Sequence, residues 1–253
     1  MGMRKTTLLL LCVVMLFLFF GCGTREAFFS DEMKFDDNVD ISPSDGADFC
    51  ERDADHQNSP YFKHPDFYNA VSVDSFKILP QFQTMQQSAE WSSGVACIEM
   101  VLQHYGKLGN HNEDSLAALR PNGNNAEETT LRQAMAVLER VGGTKLTTTL
   151  DYVDPAELSL KSFYEYIQNG VPVLVCWGDR GGHWMVLIGY DDMGTQAEAD
   201  DVMIFADPYD TNDHNQDGYG IISAQHFFRG FAVHNSFPEE EGNEFLFIAV
   251  EAA

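Results

Sequence analysis

The chain has 253 residues, 44% of them hydrophobic, enough to bury the core of one globular domain with further segments attached. Its formal net charge of −24 repels nucleic acid and anionic membrane surfaces, which argues against both as partners. Five cysteines at irregular spacing, without a CxxC pair, give neither a disulfide framework nor a zinc site.

The first feature in chain order is Arg4-Lys5 followed by the apolar run LLLLCVVMLFLFF, Leu8 to Phe20. A basic start and a short apolar core make a secretory signal, too short for a comfortable membrane span. The run ends in FFGC, which resembles a bacterial lipobox. That resemblance implies a signal peptide over residues 1–21 and a lipidated Cys22, so that the chain is a lipoprotein anchored to the membrane of the bacterial cell envelope and faces outside the cytoplasm. Ordinary signal cleavage and an uncleaved anchor are the alternatives. Residues 22–60 are acidic and poor in core-forming side chains, as in SDEMKFDDNVDISPSDGADFC, and read as an extended tether. A folded domain is expected over 61–253.

Within it, Ser93 to His104 reads as a helix with a broad apolar surface, stopped near Gly106. Asp114 to Leu119 is a second helix. Leu131 to Val141 is a third, with Thr129 or Thr130 as N-cap and Gly142-Gly143 as terminator. Leu160 to Gln168, stopped by Asn169-Gly170, is a fourth. After Gly170 the pattern changes to short β-branched and aromatic runs: VPVLVCW (171–177), HWMVLIGYD (183–191), DVMIFADP (201–208), YGII (219–222) and EFLFIAVE (244–251). Helices first and strands second predict an α+β fold with an antiparallel sheet. The near-continuous apolar runs predict that both faces of the sheet are covered.

Four features line up with a chemistry. Gln87 stands six residues before Ser93, Ser93-Gly94 opens the apolar helix, His183 begins a strand after Gly181-Gly182, and Asp207-Pro208 ends the next strand. A nucleophile at a helix N-terminus feels the positive end of the helix dipole. A histidine on a neighbouring strand can take its proton and pass it to the leaving group. A carboxylate can fix the imidazole tautomer, and a glutamine amide with a backbone N–H can hold an oxyanion. The glycine after the nucleophile leaves room for substrate backbone. Taken singly, each residue also has a plain reading: a polar loop glutamine, a strand-edge histidine, a turn-forming Asp-Pro.

Together, QSAEWSSGVACIEMVLQHYG, HWMVLIGYD and ADPYD resemble, in order, the motifs of the peptidase C39-like group of papain-fold cysteine peptidases. The resemblance covers roughly 81–250. It implies a papain-like fold, with an N-terminal helical part packed on an antiparallel β-sheet. It also implies a peptide or protein substrate and Cys–His–Asp chemistry without a metal cofactor. By position, Gln87 is the oxyanion glutamine, His183 the general base, Asp207 the orienting acid, and Ser93 falls where that family has its nucleophilic cysteine. A hydroxyl cannot form the thiolate–imidazolium pair. Three explanations stand open: a lost nucleophile, a serine-using variant, or an engineered Cys→Ser exchange. Cys97, one turn on, is the substitute thiol, but it faces away from the helix N-terminus. Cys97 and Cys176 read as small buried hydrophobes.

The sequence therefore carries two function classes, a cysteine-peptidase-type hydrolase and a catalytically inactive peptide-binding pseudo-peptidase. A third reading, a calcium-stabilised adhesion domain, rests on Asp213, Asn215, Asp217 and Gly218, the first half of an EF-hand-like loop. Position 12 of that loop is Ala224 instead of Glu, so the bidentate ligand is missing, and a polar hairpin loop explains the residues as well.

Overall fold

A computed structural model describes residues 65–152, 158–178, 182–210, 216–232, 237 and 244–253. The signal, the tether, Cys22 and Cys50 lie outside the described residues. So do Gly181, Asp213 and Asn215.

In chain order the elements are β1 (Phe76–Ile78), α1 (Ser93–His104), α2 (Glu113–Ala117), α3 (Leu131–Val141), β2 (Thr144–Thr148), α4 (Leu160–Gln168), β3 (Val173–Trp177), β4 (His183–Asp191), β5 (Val202–Ala206), β6 (Tyr219–Ser223), α5 (Ala224–Ala232) and β7 (Phe247–Ala252). The helices α1, α3 and α4 have the expected bounds. Thr130 caps α3 through a reciprocal box: its side chain accepts from Gln133 N, and Gln133 Oε1 accepts from Thr130 N at 3.1 Å. At the other end, Gly142 with φ of 79° provides the left-handed residue that ends the helix. α2 starts one residue earlier than expected, because Asn112 accepts from Ser115 N and sets the boundary.

All the described strands join one antiparallel sheet in the order β2-β7-β3-β4-β5-β6. β1 pairs with β4 over Ile78↔Gly189 to Phe76↔Asp191, beyond the end of the β3–β4 ladder at Val173↔Leu187. Every residue of β3 and the first eight of β4 are buried. Successive side chains point to opposite faces, so both faces of these strands must be covered.

The register shows what covers each face. Trp184 pairs with Cys176 and packs on α1, where its ring edge lies 3.1 Å from where a Gly94 Cβ would stand. Met185, Val175 and Phe247 lie opposite one another and so share the other face. There Phe163 of α4 packs edge-on against Phe227, Phe231 and Phe247 at 5.5–6.2 Å. Offset and edge-on rings add to area burial in such a core.

The expected order of helices before strands is corrected at three places. β1 precedes α1, β2 lies between α3 and α4, and α5 follows β6. The sequence TKLTT of β2 has a largely half-exposed pattern without a continuous apolar run, as suits an edge strand. The helix α5, AQHFFRGFA, places Ala224, Phe227 and Phe231 on its buried side at helical spacing. Its adjacent phenylalanines and Gly230 disguise it as strand and turn. Gly230 is required because a Cβ there would lie 2.1 Å from the Trp177 indole nitrogen, which donates to Phe227 O at 3.0 Å.

Candidate active site

The turn before α1 closes on itself. Ser92 Oγ accepts from Ala89 N at 3.1 Å and donates to Ala89 O at 2.8 Å. Engaged there, it makes no side-chain capping bond at the N-terminus of α1, and the first turn of α1 has no acidic residue. The positive end of a twelve-residue helix is therefore left uncompensated by its own side chains, and Ser93 is its first residue. Gly94 follows, but its space is not left open. A Cβ there would stand 2.8 Å from Thr129 Cβ, so the glycine admits the 129 segment instead of substrate backbone.

His183 begins β4, and Asp207 follows directly on β5. His183 Nε2 and Asp207 Oδ1 are 2.6 Å apart, with both side chains buried. A carboxylate only accepts, so Nε2 carries the proton in this bond and Nδ1 is the nitrogen left for a reacting group. Asp207 is itself fixed: Oδ1 also accepts from Tyr209 N at 2.9 Å, and its own N–H donates to Gly218 O at 2.9 Å. The Tyr209 ring stands edge-on to the imidazole at 6.1 Å, and its hydroxyl donates to Glu90 Oε1 at 2.6 Å.

Ser93 Oγ is buried and accepts from Trp184 N at 3.3 Å, beside the histidine instead of from it. The β4–β5 ladder ends at Val186↔Ala206, two residues short of Trp184, and the serine takes up the amide left beyond it. No Ser93–imidazole hydrogen bond forms among the described residues.

Gln87 is also buried, and its N–H donates to Pro208 O at 2.9 Å, which ties it to the segment carrying Asp207. Its Nε2 donates to Ala89 O at 2.7 Å and Glu90 O at 3.1 Å, so both amide hydrogens serve its own turn. Among the described residues, Oε1 is buried without a partner. Rotating the amide would set Oε1 against two carbonyls. To donate to an oxyanion, Gln87 has to exchange one of these bonds.

Cys97 and Cys176 are free and fully buried. Burial pushes the Cys97 thiol well above its ordinary value, and Asp207 and Cys176 push it further. A neutral thiol in such a place is inert, so Cys97 does not replace Ser93 as nucleophile. Cys176 is raised chiefly by burial and secondarily by Glu128.

The calcium-loop reading falls partly on residues outside the described set. Of the rest, Asp217 Oδ1 accepts from Tyr219 N at 3.0 Å, Gly218 N donates to Asp210 Oδ2 at 2.7 Å, and Ala224 begins α5. Among the described residues, no three acidic, cysteine or histidine side chains are grouped to hold a metal ion.

Three residues that the sequence did not single out shape this region. Trp184 Nε1 donates to Thr129 O at 2.7 Å. Arg120, buried, bonds Thr129 Oγ1 at 3.2 Å and three loop carbonyls, and its guanidinium lies 4.6 Å from the Trp91 ring. Glu128 is half-buried: burial raises its carboxyl, and its electrostatic interaction with His183 partly lowers it. A Glu-Glu pair in an Asn- and Gly-rich loop carries no sequence signal of that position.

A helix opened by the nucleophile-position residue, packed on an antiparallel sheet that carries a buried His–Asp pair, defines an α+β domain of the papain-like peptidase fold. The profile of the Peptidase_C39 like family matches residues 74–229, and the chain belongs to that family. Among solved structures, it is similar to the peptidase domain of Streptococcus ComA, a bifunctional ABC transporter involved in a quorum-sensing pathway (19% identity, TM-score 0.42, 68% of this chain and 99% of that one). It is also similar to a double glycine motif protease from an AMS/PCAT transporter in complex with the leader peptide (14%, 0.41, 68% and 91%). A third similar structure is xylellain, a cysteine protease from Xylella fastidiosa (13%, 0.39, 76% and 91%). No match was found among curated proteins.

Proposed function

We propose that this peptidase-family domain binds peptides at the cell surface and acts on peptide bonds through Ser93, His183 and Asp207. The observation that carries the reading is the buried 2.6 Å His183–Asp207 pair, with Ser93 bonded to the next residue of the same strand. His183 would remove the Ser93 proton through Nδ1 during attack and return it to the leaving amine. Asp207 would hold the ring. The Ser93 N–H at the start of α1 and the Gln87 amide would receive the oxyanion.

A second reading, peptide capture without turnover, is favoured by where the Ser93 hydroxyl and the Gln87 amide are engaged. Ser93 Oγ is held by Trp184 N, and the Gln87 amide is held by its own turn. A hydroxyl needs its proton removed during attack, whereas a thiol can be ionised in advance.

The test is the full chain and its Ser93→Cys form, assayed against a fluorogenic peptide library. Cleavage by both supports a serine-using peptidase. Cleavage only by Ser93→Cys supports a preserved site whose resident hydroxyl binds without cutting. Silence from both, with no peptide binding by calorimetry, refutes both readings.

The lipobox-like FFGC supports placing the domain on the outer side of the membrane through lipid at Cys22. Among the described residues no helix is long and apolar enough to cross a membrane. Incorporation of labelled palmitate that disappears in Cys22→Ala is the expected result.

A further inference from the structure

A site assembled from distant parts of a chain works when its halves are registered to within about 0.5 Å. Here Gln87 and Ser93 stand in the turn before α1 and at its first residue, whereas His183 opens β4 and Asp207 follows β5. His183 meets Asp207 at 2.6 Å, and Ser93 meets Trp184 N at 3.3 Å. Neither bond runs from the turn before α1 to the segment after β5.

Glu90 and Tyr209 make that connection. They are 119 positions apart in sequence, and the Tyr209 hydroxyl donates to Glu90 Oε1 at 2.6 Å, the length of a charge-assisted bond. Both side chains are half-buried, so solvent screens the bond less than it would a surface pair. Each end is tied to the site. Tyr209 N donates at 2.9 Å to Asp207 Oδ1, the same oxygen that faces His183 Nε2, and the Tyr209 ring lies 6.1 Å from the imidazole. At the other end, Glu90 O accepts from Gln87 Nε2 at 3.1 Å, and Gln87 N returns to Pro208 O at 2.9 Å. The bonds close a ring through Gln87, Glu90, Tyr209 and Pro208, and His183 is attached to that ring through Asp207.

We infer that Glu90 and Tyr209 are positioning residues whose bond sets the His183 imidazole against residue 93 and fixes the carbonyl to which the Gln87 amide is tied. The inference rests on the reading of Ser93, His183 and Asp207 as one site. Glu90 and Tyr209 act through Asp207 and Gln87, not on the reacting atoms.

The test needs no substrate. In the full-length Ser93→Cys chain, alkylation of the introduced thiol by iodoacetamide is followed against pH by mass spectrometry at position 93. Tyr209→Phe keeps the ring and deletes the donor, and Glu90→Ala deletes the acceptor. Each, added to Ser93→Cys, is expected to raise the apparent thiol pKa by about half a unit or more, towards the free-cysteine value. Losing a carboxylate would by itself lower the pKa of a nearby thiol, so a rise in Glu90→Ala comes from geometry instead of charge. Combining the two changes should raise it no further than Tyr209→Phe alone, because they remove one shared bond. Glu90→Gln, whose amide oxygen still accepts, should recover most of the shift. Melting temperatures show that each form is folded, and a general loosening of the fold would not be rescued by Glu90→Gln. If the Tyr209→Phe and Glu90→Ala profiles superimpose on that of Ser93→Cys alone, or if their shifts add in the combined form, the assignment is overturned and the reading of the site stands. A thiol with the free-cysteine profile in every form, Ser93→Cys alone included, overturns both.

Discussion

Arg120→Met tests the arrangement that places the 121–129 loop. Arg120 is 2% exposed and, among the described residues, has no carboxylate partner in hydrogen-bond reach. Nε donates to Gly123 O at 3.1 Å, Nη1 to Glu127 O at 2.8 Å and Thr129 Oγ1 at 3.2 Å, and Nη2 to Gly123 O at 2.9 Å and Asn125 O at 2.6 Å. Burial lowers the guanidinium from its ordinary value and Glu127 partly restores it, but a group with so high a starting value stays charged. Methionine keeps most of the aliphatic volume and removes every donor. A bond from a charged donor contributes roughly 1.5–3 kcal/mol. The carbonyls lie in a partly exposed loop and regain water, so about 1 kcal/mol for each of the four acceptors is the better figure. Relief from desolvating the cation offsets part of that sum. The net loss expected is about 3 kcal/mol. Urea unfolding of the full chain, followed by tryptophan fluorescence, measures it, since Trp91 lies against the guanidinium. Arg120→Lys should recover no more than about 1 kcal/mol, because one ammonium cannot reproduce the planar fork that meets three carbonyls. A loss under about 1 kcal/mol for Arg120→Met, with an unchanged denaturant slope, would refute the reasoning.

Gly94→Ala should cost about 1–3 kcal/mol despite better helix propensity, because its Cβ meets Thr129 Cβ at 2.8 Å. A neutral or stabilised variant in urea would show that the 129 segment yields freely. Glu128→Gln should leave stability unchanged at pH 4 and raise it by less than about 1 kcal/mol at pH 7.5. Burial raises this carboxyl above 4.5 in the native state, so the native state holds the proton more tightly. Stability is then full below the unfolded value and falls as pH rises through the native one, while remaining solvent keeps the effect small. Melting curves at the two pH values that run parallel would contradict this. In the Ser93→Cys form, the introduced thiol should alkylate with iodoacetamide at an apparent pKa at least about one unit below the free-cysteine value, owing to the α1 terminus and His183. Adding Asp207→Asn should move that profile upward. Superimposable profiles would remove Asp207 from the role of orienting His183.

The legible parts of the fold were those with strong periodicity and punctuation. α1, α3 and α4 each pair an apolar stripe with a stop at Gly or Asn-Gly, and their bounds follow from the residues alone. β1 and β2 were not legible because neither has a sustained apolar run: three residues pair on the far half of β4, and TKLTT half-faces solvent. α5 was not legible because its adjacent phenylalanines and Gly230 blur the helical spacing of its buried residues. At the site, motif order brought His183 and Asp207 into one reading, and the structure puts them 2.6 Å apart. Motif order could not show that Gln87 would bond its own turn, or that Gly94 makes room for Thr129. Those depend on which loop returns over the helix. For the same reason nothing in the sequence marks Glu128 or Arg120.

The place of β7 in the sheet sets the order in which the domain can assemble. Residues 247–252 lie between β2 and β3, and among the described residues the β2 ladder runs to β7 alone, about a hundred positions further along the chain. Until β7 arrives, β2 has no partner, and the β3 edge formed by Val173 to Val175 is open. Contacts of such long sequence separation close slowly, since the loop entropy must be overcome before any pairing rewards it. A nascent chain therefore carries its helices early but cannot complete its sheet until β7 has been synthesised. A chain cut before Phe247 would keep the His183–Asp207 pair in its sequence, yet leave β2 detached and two strand edges exposed to self-association.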